Sequence, residues 1–312
     1  MSGMTAEIAA GYAGIRLFVE RAALIDWSFA LLDEAERVVF RRLGVFTGSF
    51  DLAGAEAVVP GGLIEPEAVM DLVVSLLDKS LIIRLPSTER EPRYRLLEST
   101  RDYALEKLAE AGETGMLQRA HAQHMVAVFG AARRRWADTD AVVWERNIEP
   151  EVENLRASLA WAFGDDGIGI TLAARLRAVV GSNLLDRRTQ FALVREAAKK
   201  LTPETPGEDA AGLWYALATD TSTSARARVE AAVRARGLFE ALGDRQMVGV
   251  ALALAALTLA LAGDAGGVQH YADATRAILP TIPVNLNKAT ILFNLDGVER
   301  PLFLAFNSGG LR

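Results

Sequence analysis

Apolar residues recur at helical spacing through most of the 312-residue chain. The clearest run follows Pro66, where the spacing i, i+3, i+4, i+7, i+8 predicts one buried helix face. Its members are Val69, Leu72, Val73, Leu76 and Leu77. Upstream, the Asp-x-x-Glu pattern from Asp33 to Glu36 predicts a helix that begins with a capping box. Asp51 is expected to cap a further short helix over 52–59.

The periodicity changes after the third predicted helix. Residues 79–85 and 94–97 have the composition of two strands, and the loop over 86–92 is bounded by proline at both ends. A helix is then predicted to begin at Ser99. Three short helices, a two-stranded ribbon and a further helix are the element order of a winged helix-turn-helix domain. The loop over 86–92 would be the tip of its wing.

Beyond this region the pattern predicts only helices. Their expected ranges are 117–136, 139–147, 150–163, 168–181 and 189–201. In the last third, the segments RGLF (236–239) and RAIL (276–279) match at an offset of 40, which suggests helix pairs stacked in a tetratricopeptide-like solenoid. The apolar run over 248–262 is shorter than the roughly 20 residues of a membrane span. We therefore interpret it as a buried helix between other helices.

The fold class expected from these patterns is mainly α. A winged helix-turn-helix domain with a small β-hairpin wing would be followed by an α-helical tetratricopeptide-like array. The expected parts, in order, are a remnant helical segment (1–25), the winged helix-turn-helix domain (26–112), a helical connector (113–165), tetratricopeptide-like helical repeats (166–280) and a truncated, loosely held tail (281–312).

Composition narrows the function classes. The chain has no cysteine, which excludes disulfides, thiolate metal sites and cysteine nucleophiles, and which is typical of cytoplasmic proteins. No signal peptide is evident, because the first ten residues carry Glu7 and lack a basic start. Residues 1–125 hold 13 Lys+Arg against 19 Asp+Glu and so account for the whole formal charge of −6. An acidic N-terminal part is poorly suited to bind nucleic acid, because affinity for nucleic acid comes mainly from basic residues that neutralise phosphates.

Catalytic, cofactor and metal sites are not expected. A phosphate-binding loop needs a lysine after a glycine-rich turn, and none of the five lysines follows a glycine. His121 and His124 have an i, i+3 spacing that could bind a metal. The preferred interpretation is a solvated helix surface beside Arg119 and Gln123, with no nearby carboxylate. No serine nucleophile or carboxylate pair is indicated by spacing, so the chain is predicted not to be an enzyme.

Two groups of arginines are candidate contacts for nucleic acid or for a partner. The first lies on the wing and comprises Arg84, Arg90, Arg93 and Arg95; the second is the cluster Arg133, Arg134 and Arg135, next to Trp136. An arginine cluster beside an aromatic ring can bind nucleic acid. For the 133–135 cluster, the preferred interpretation is a solvated helix face whose tryptophan turns inward. The remaining tryptophans, at positions 27, 144, 161 and 214, are expected in the core.

The presumed recognition helix argues against direct DNA reading. It carries four acidic residues against Lys79, a net charge of −3, and these acids would repel phosphate. The acids are Glu65, Glu67, Asp71 and Asp78.

Several stretches resemble bacterial STAND-type ATPase regulators. They are IDWSFALL (25–32), EAERVVFRRLGVF (34–46), LLDKSL (76–81), YRLLESTRDYA (94–104) and ENLRA (153–157). The resemblance is specific over about 25–165 and looser over 166–280. It implies a signalling regulator, in which an effector domain that often binds DNA is joined to an NB-ARC-like ATPase, a winged helix and a tetratricopeptide-like array. Many members are transcriptional regulators.

Two departures from that pattern bear on nucleotide switching. The segment IRLFVERA (15–22) resembles part of the ATPase region, yet the 25–32 stretch follows almost at once, so the ATPase core is expected to be missing. Related winged helices carry a Met-His-Asp motif whose histidine senses nucleotide. The corresponding residues here are Leu96-Leu97-Glu98, and leucine cannot bind a phosphate.

The leading hypothesis is a non-catalytic regulatory and signal-transduction module that acts by protein–protein interaction. Its partner would bind the concave surface of the helical repeats, where exposed apolar and aromatic groups are expected. The alternative is a DNA-binding transcriptional regulator that uses the wing arginines and the 133–135 cluster. Both hypotheses place the protein in the cytoplasm, without cofactor and without a membrane partner.

Overall fold

The computed structural model describes residues 24–86, 91–135, 139–164, 167–175, 186–283, 290–292 and 294–296. The chain divides into two compact units. The first holds the described residues up to Met125 together with Pro150–Ala160, and the second holds Val126–Glu149 and the described residues from Trp161 onward.

The first unit has the element order of a winged helix-turn-helix domain. After a helical stretch over 24–30, its elements are α1 (Glu34–Leu43), α2 (Leu52–Val58), a 3-10 turn (Pro66–Ala68), α3 (Val69–Asp78), β1 (Ile83–Arg84), β2 (Tyr94–Arg95) and α4 (Glu98–Glu110). The two strands are antiparallel, with Ile83 opposite Arg95. The predicted helix–ribbon–helix order is therefore confirmed, and the centre of the predicted wing tip, 87–90, lies outside the described residues.

Phe50 also pairs with the ribbon, a contact that the sequence did not predict. The backbone N–H of Phe50 donates to the carbonyl of Tyr94 at 2.9 Å, and the N–H of Tyr94 donates back at 2.8 Å. Phe50 lies between α1 and α2, so this bridge ties the loop of the first helix pair to the wing. It also fixes the hydrogen-bonding edge of β2 that β1 does not use.

Local sequence signals explain where the helices begin. The backbone N–H of Glu36 donates to Asp33 at 2.9 Å and that of Asp33 donates to the Glu36 carboxylate at 2.9 Å, which confirms the capping box. Asp51 accepts from the N–H of Gly54 at 2.7 Å, as predicted for a cap of α2. Pro66 begins a 3-10 turn, and the α-helix itself starts three residues later.

The core of the first unit lies where α1, α3 and α4 meet. On α3, Val69, Val73 and Leu76 are fully buried, as the periodicity predicts, whereas Leu72 and Leu77 are partly buried. Phe46 and Phe50 are buried and stack at 5.0 Å between ring centroids. Each such buried ring contributes roughly 2 to 3 kcal/mol of transfer free energy.

One expected core residue is at the surface. Trp27 is 64% exposed, so its assignment to the core was wrong. The helical stretch over 24–30 instead turns Phe29 inward, where its ring lies 5.6 Å from Phe40 and 5.5 Å from Tyr103. Trp144 is buried as expected and donates its indole N–H to the carbonyl of Ala132 at 2.9 Å.

The remaining described elements are helical. They are α5 (Thr114–Arg135), α6 (Ala141–Ile148), a 3-10 turn (Glu149–Glu151), α7 (Val152–Ala162), α8 (Ile168–Arg175), α9 (Arg187–Lys199), α10 (Gly207–Ala218), α11 (Ala225–Ala241), α12 (Arg245–Leu261), α13 (Ala265–Ile278) and a 3-10 turn (Leu279–Thr281). The chain is thus mainly α, with a winged helix-turn-helix domain followed by a helical array.

The connections from α11 to α12 and from α12 to α13 use the same turn. Gly243 and Gly263 end α11 and α12 with φ angles of 71° and 78°, a conformation that glycine adopts at little cost. Each is followed by an aspartate, Asp244 or Asp264, whose carboxylate accepts a backbone N–H of the next helix at 3.0 Å. These turns set the starts of α12 at Arg245 and of α13 at Ala265. The helix α11 starts at Ala225, 40 residues before α13, which is the offset of the sequence match.

The helix α12 forms the centre of the second unit. Most of its side chains are buried, and it packs between α11 and α13, which confirms the prediction of a buried helix for the long apolar run. At Gly249 an added Cβ would lie 2.8 Å from the side chain of Ile282 and 2.9 Å from that of Ile291. In the part of the chain that the structure covers, no helix is long and apolar enough to cross a membrane.

Candidate interaction surfaces

The helix α3 occupies the position of a recognition helix, and its outer face is acidic and apolar. Glu67, Met70, Asp71, Val74 and Asp78 are exposed, and their spacing places them on one side of the helix. Met70 is 53% and Val74 is 43% exposed. Leu63, in the turn that leads to this helix, is 62% exposed. The surface combines large apolar side chains with negative charge.

The acids of this face are not neutralised by basic side chains. Among the described residues, Glu65, Glu67, Asp71 and Asp78 take part in no ion pair. Lys79 forms an ion pair with the buried carboxylate of Glu36, which also accepts a hydrogen bond from Ser75. Burial alone would raise the pKa of Glu36, but the hydrogen bonds from Lys79 and Ser75 outweigh it and the pKa is lowered. The single lysine next to α3 is therefore already occupied.

The wing arginines do not form one surface. Arg84 and Arg95 are exposed, whereas Arg93 is mostly buried. Since Ile83 pairs with Arg95 and Arg84 pairs with Tyr94, strand alternation puts Arg84 and Arg95 on opposite faces of the ribbon. Arg90, the fourth predicted contact, lies outside the described residues.

Arg93 holds the wing to the body of the domain. Its guanidinium donates to the carbonyl of Ser49 at 2.8 Å and to the hydroxyl of the same residue at 2.8 Å. It also forms an ion pair with Glu151 at 2.7 Å. With these partners, Arg93 is a structural residue that has few donors left for a ligand.

The second arginine cluster is divided in the same way. Arg134 and Arg135 are exposed, but Arg133 is mostly buried and pairs with Glu208 at 2.6 Å. Glu208 is shared with Arg175 at 2.8 Å. Burial lowers the pKa of Arg133, against the opposing effect of Glu208. The interpretation of the cluster as a solvated helix face was therefore wrong for Arg133, because the carboxylate of Glu208, from a helix distant in sequence, binds it. Trp136 lies outside the described residues.

His121 is buried and His124 is half-buried, which corrects the prediction of a solvated helix surface. His121 is 2% exposed, its Nδ1 lies 3.1 Å from the hydroxyl of Ser158, and its ring meets that of Phe46 edge-on at 5.0 Å. Burial lowers the pKa of His121 to about 3 and also lowers the pKa of His124. The carboxylates that influence His124 come from Asp51 and Glu151, far away in sequence. Within the described ranges, no group of three histidines or acids could hold a metal.

Asn154 organises a buried polar node that sequence reasoning missed. Its side-chain oxygen accepts from the backbone N–H groups of Thr47 and Gly48, each at 3.1 Å. Its amide donates to the carbonyl of Ser49 at 2.8 Å and to Glu151 at 3.1 Å. The side chain of Asn154 therefore provides hydrogen-bond partners for the backbone of the turn over 47–49, which precedes the Phe50 bridge.

A second buried node joins three parts of the winged helix domain. Arg42, on α1, donates to the carbonyls of Val59 at 2.7 Å and Gly61 at 2.8 Å. The same guanidinium binds Glu113 at 2.6 Å, and Arg41 binds that carboxylate at 2.9 Å. Burial alone would raise the pKa of Glu113, but the hydrogen bonds from the two arginines outweigh it and lower the pKa to about 2.

The surface of the helical array is polar around one aromatic residue. The guanidinium of Arg234, on α11, lies 4.4 Å from the ring centroid of the half-buried Trp214 and pairs with Glu230 at 2.8 Å. Exposed large apolar residues occur at helix ends, at Leu242 and Leu261. This described surface mixes both charge signs with an arginine–tryptophan pair.

Comparison with known proteins supports the assignment of the first unit. Residues 32–109 match a protein family described as a winged helix-turn-helix domain. A stretch of 155 residues is 42% identical to "Putative HTH-type transcriptional regulator Rv0890c" of Mycobacterium tuberculosis and equally to "Putative HTH-type transcriptional regulator Mb0914c" of Mycobacterium bovis. It covers 48% of this chain and 17% of each relative.

A further relative covers a shorter stretch. "Uncharacterized protein Rv0894" of Mycobacterium tuberculosis is 37% identical over 121 residues, which are 38% of this chain and 30% of that protein. No solved structure matches the chain significantly. The sequence match and the observed element order agree on the same conclusion: the first unit contains a winged helix-turn-helix domain.

Proposed function

We propose that this chain is a non-catalytic regulatory and signal-transduction module that acts by protein–protein contact. In this proposal it corresponds to the winged-helix and tetratricopeptide-like part of a STAND-type transcriptional regulator. It carries out no reaction, needs no cofactor and works in the cytoplasm without a membrane partner. The names of the two mycobacterial relatives as transcriptional regulators support the regulatory part of the proposal.

The observation that carries the proposal is the acidic recognition helix. DNA binding depends on neutralising phosphates with lysine and arginine. Here Asp71 and Asp78 are exposed on α3, Glu67 is exposed in the 3-10 turn that leads into it, and Lys79 is paired with Glu36. Bringing this face to the major groove would set carboxylates against phosphates. The domain is therefore better suited to a protein partner than to DNA.

The helical array supplies a surface of the required kind. The helix α11 buries one side against its neighbours and leaves Arg226, Glu230 and Arg234 exposed on another side. Arg234 and Trp214, which are stacked on this surface, belong to the residue types that dominate binding hot spots. We propose that the partner binds this helical-repeat surface.

The proposal is tested by comparing two surface variants in the cell of origin. The first, Arg226→Glu with Arg234→Glu, reverses charges on the exposed side of α11; the second, Arg84→Ala with Arg95→Ala, removes the exposed wing arginines. Transcript profiles are compared with that of a deletion strain. We expect the array variant to reproduce the deletion profile and the wing variant to resemble the wild type. The opposite pattern would overturn the proposal.

The alternative function is a DNA-binding regulator that uses the wing, and one observation favours it. Arg84 and Arg95 are exposed and take part in no ion pair with any residue that the structure covers. This alternative predicts that affinity for short duplexes falls steeply as salt rises. Replacing both arginines by alanine would reduce the affinity and the salt slope. If a labelled duplex does not bind even at low salt, the alternative is removed.

A further inference from the structure

We propose that the exposed face of the recognition helix is itself a docking site for a basic, amphipathic helical segment of a protein partner. This face is defined by Glu67, Met70, Asp71, Val74 and Asp78, and it shares no residue with the helical-repeat surface. The inference rests on the proposed function, since it also assumes protein contact, but it names a second surface and the chemistry of what binds there.

The apolar part of the face is its attractive centre. Met70 and Val74 are neighbours one helical turn apart, and both expose about half of their surface to solvent. Leu63, just before the helix, is even more exposed. A methionine adapts to the shape of different partners, which suits a binding surface better than a core. Burying these side chains against an apolar stripe would be favourable.

The charge of the face selects the partner. Glu67 and Asp71 lie on one side of the apolar pair and Asp78 lies one turn beyond it, and among the described residues all three lack an ion-pair partner. A segment with lysine or arginine beside its apolar stripe would neutralise them. DNA and anionic lipid surfaces carry the same sign as this face and are disfavoured. A second copy of the chain would set these acids against each other if the face paired with itself.

The length of the face fits a short helix. From Glu67 to Asp78 it extends for roughly 17 Å, which matches about three helical turns of a partner. A partner helix in a groove or on a ridge is recognised through side chains at i, i+3, i+4 and i+7 spacing. The acidic residues then fix its orientation and favour rapid association.

The test uses the full chain and a synthetic peptide of about 14 residues, with leucines on one helical side and lysines beside them. Binding is measured by fluorescence anisotropy at several salt concentrations. The variant Glu67→Lys with Asp71→Lys reverses two charges at i, i+4 on the face. The matched control, Asp102→Lys with Glu106→Lys, makes the same change at i, i+4 on exposed positions of α4. Thermal unfolding confirms that both variants fold.

We expect the peptide to bind the wild type and the control variant with similar affinity, and the face variant roughly tenfold more weakly. A second variant, Met70→Ser with Val74→Ser, is expected to weaken binding without changing net charge. The inference is overturned if the peptide does not bind, or if both charge reversals weaken binding equally. Self-association abolished by the face variant would assign the face to a second copy and would also overturn it. None of these failures would affect the array test of the proposed function, which uses different residues.

Discussion

The carboxylate of Glu113 offers the most quantitative test of the winged helix structure. It lies between the guanidinium groups of Arg41 and Arg42, and Arg42 also donates to two backbone carbonyls. Replacing Glu113 with glutamine keeps the size of the side chain but removes its charge. The mostly buried Arg42 would then keep its positive charge without a counter-charge. Such an uncompensated buried charge is strongly destabilising.

The magnitude follows from the pKa of this group. Its pKa falls from 4.5 to about 2 on folding, and at about 1.36 kcal/mol per pKa unit this difference corresponds to roughly 3 kcal/mol. The carboxylate is partly accessible to solvent, so screening reduces the expected contribution to about 2 kcal/mol. Since the folded pKa is depressed, the contribution is fully present above pH 4.5 and is lost as the pH falls towards 2.

Urea denaturation followed by circular dichroism measures the change in the free energy of unfolding. Hydrogen exchange of peptides from α1 and from the part of α5 before Val126 locates this change in the first unit. Glu110→Gln is the matched control, because Glu110 pairs with Lys107 on the surface only three residues away. We expect Glu113→Gln to lower the free energy of unfolding by about 2 kcal/mol at pH 7, and the control by less than about 1 kcal/mol.

The difference between wild type and Glu113→Gln should shrink as the pH falls below 4.5. If the free energies of unfolding of the two proteins differ by less than about 0.5 kcal/mol at pH 7, the carboxylate does not stabilise Arg42 as described. If the difference stays constant down to pH 3, it arises from packing and the pKa argument is refuted.

Three further predictions concern single buried positions. Gly169→Ala should destabilise the second unit by about 1 to 3 kcal/mol, because the new Cβ would lie 2.7 Å from the carbonyl oxygen of Ala162; Gly237→Ala, at an open helical position, should instead stabilise by up to about 1 kcal/mol in thermal unfolding. Because of His121, the free energy of unfolding of the wild type should fall by roughly 2 kcal/mol between pH 7 and pH 5: the histidine gains a proton below pH 6.5 in the unfolded state, while the buried ring stays neutral down to about pH 3. The variant His121→Gln should not show this fall. Equal pH dependence of the two proteins in urea titrations would contradict this. Asn154→Ala should cost about 2 to 4 kcal/mol in the same assay, because two backbone N–H groups lose their acceptor; a cost below about 0.5 kcal/mol would contradict the node.

Local signals made most of the helices predictable from the sequence. The capping box at Asp33, the cap at Asp51 and the apolar spacing of α3 each act within one or two turns of chain. The acidic character of the recognition helix was also readable, because exposed acids do not depend on distant contacts. The helix–ribbon–helix order followed from these elements alone.

The errors share one physical cause, which is that burial depends on the tertiary neighbours of a residue. His121 and Arg133 lie on a polar-looking helix, yet Ser158 and Glu208 reach them from remote positions. Trp27, by contrast, is exposed although it was expected in the core, because Phe29 on the same helical stretch packs inward instead. The Phe50 bridge was not predictable, since a single bridging residue leaves no periodic pattern.

Photo-crosslinking in the cell tests the central claim of protein contact most directly. A photoreactive amino acid replaces Glu230 on α11 or Asp273 on α13, both exposed on the array, and in parallel Arg84 or Arg95 on the wing. The proposed function predicts one discrete protein adduct from the array positions, lost when Arg234→Glu is added, and no DNA adduct from the wing. Reproducible DNA adducts from the wing positions, with no protein adduct from the array, would contradict it.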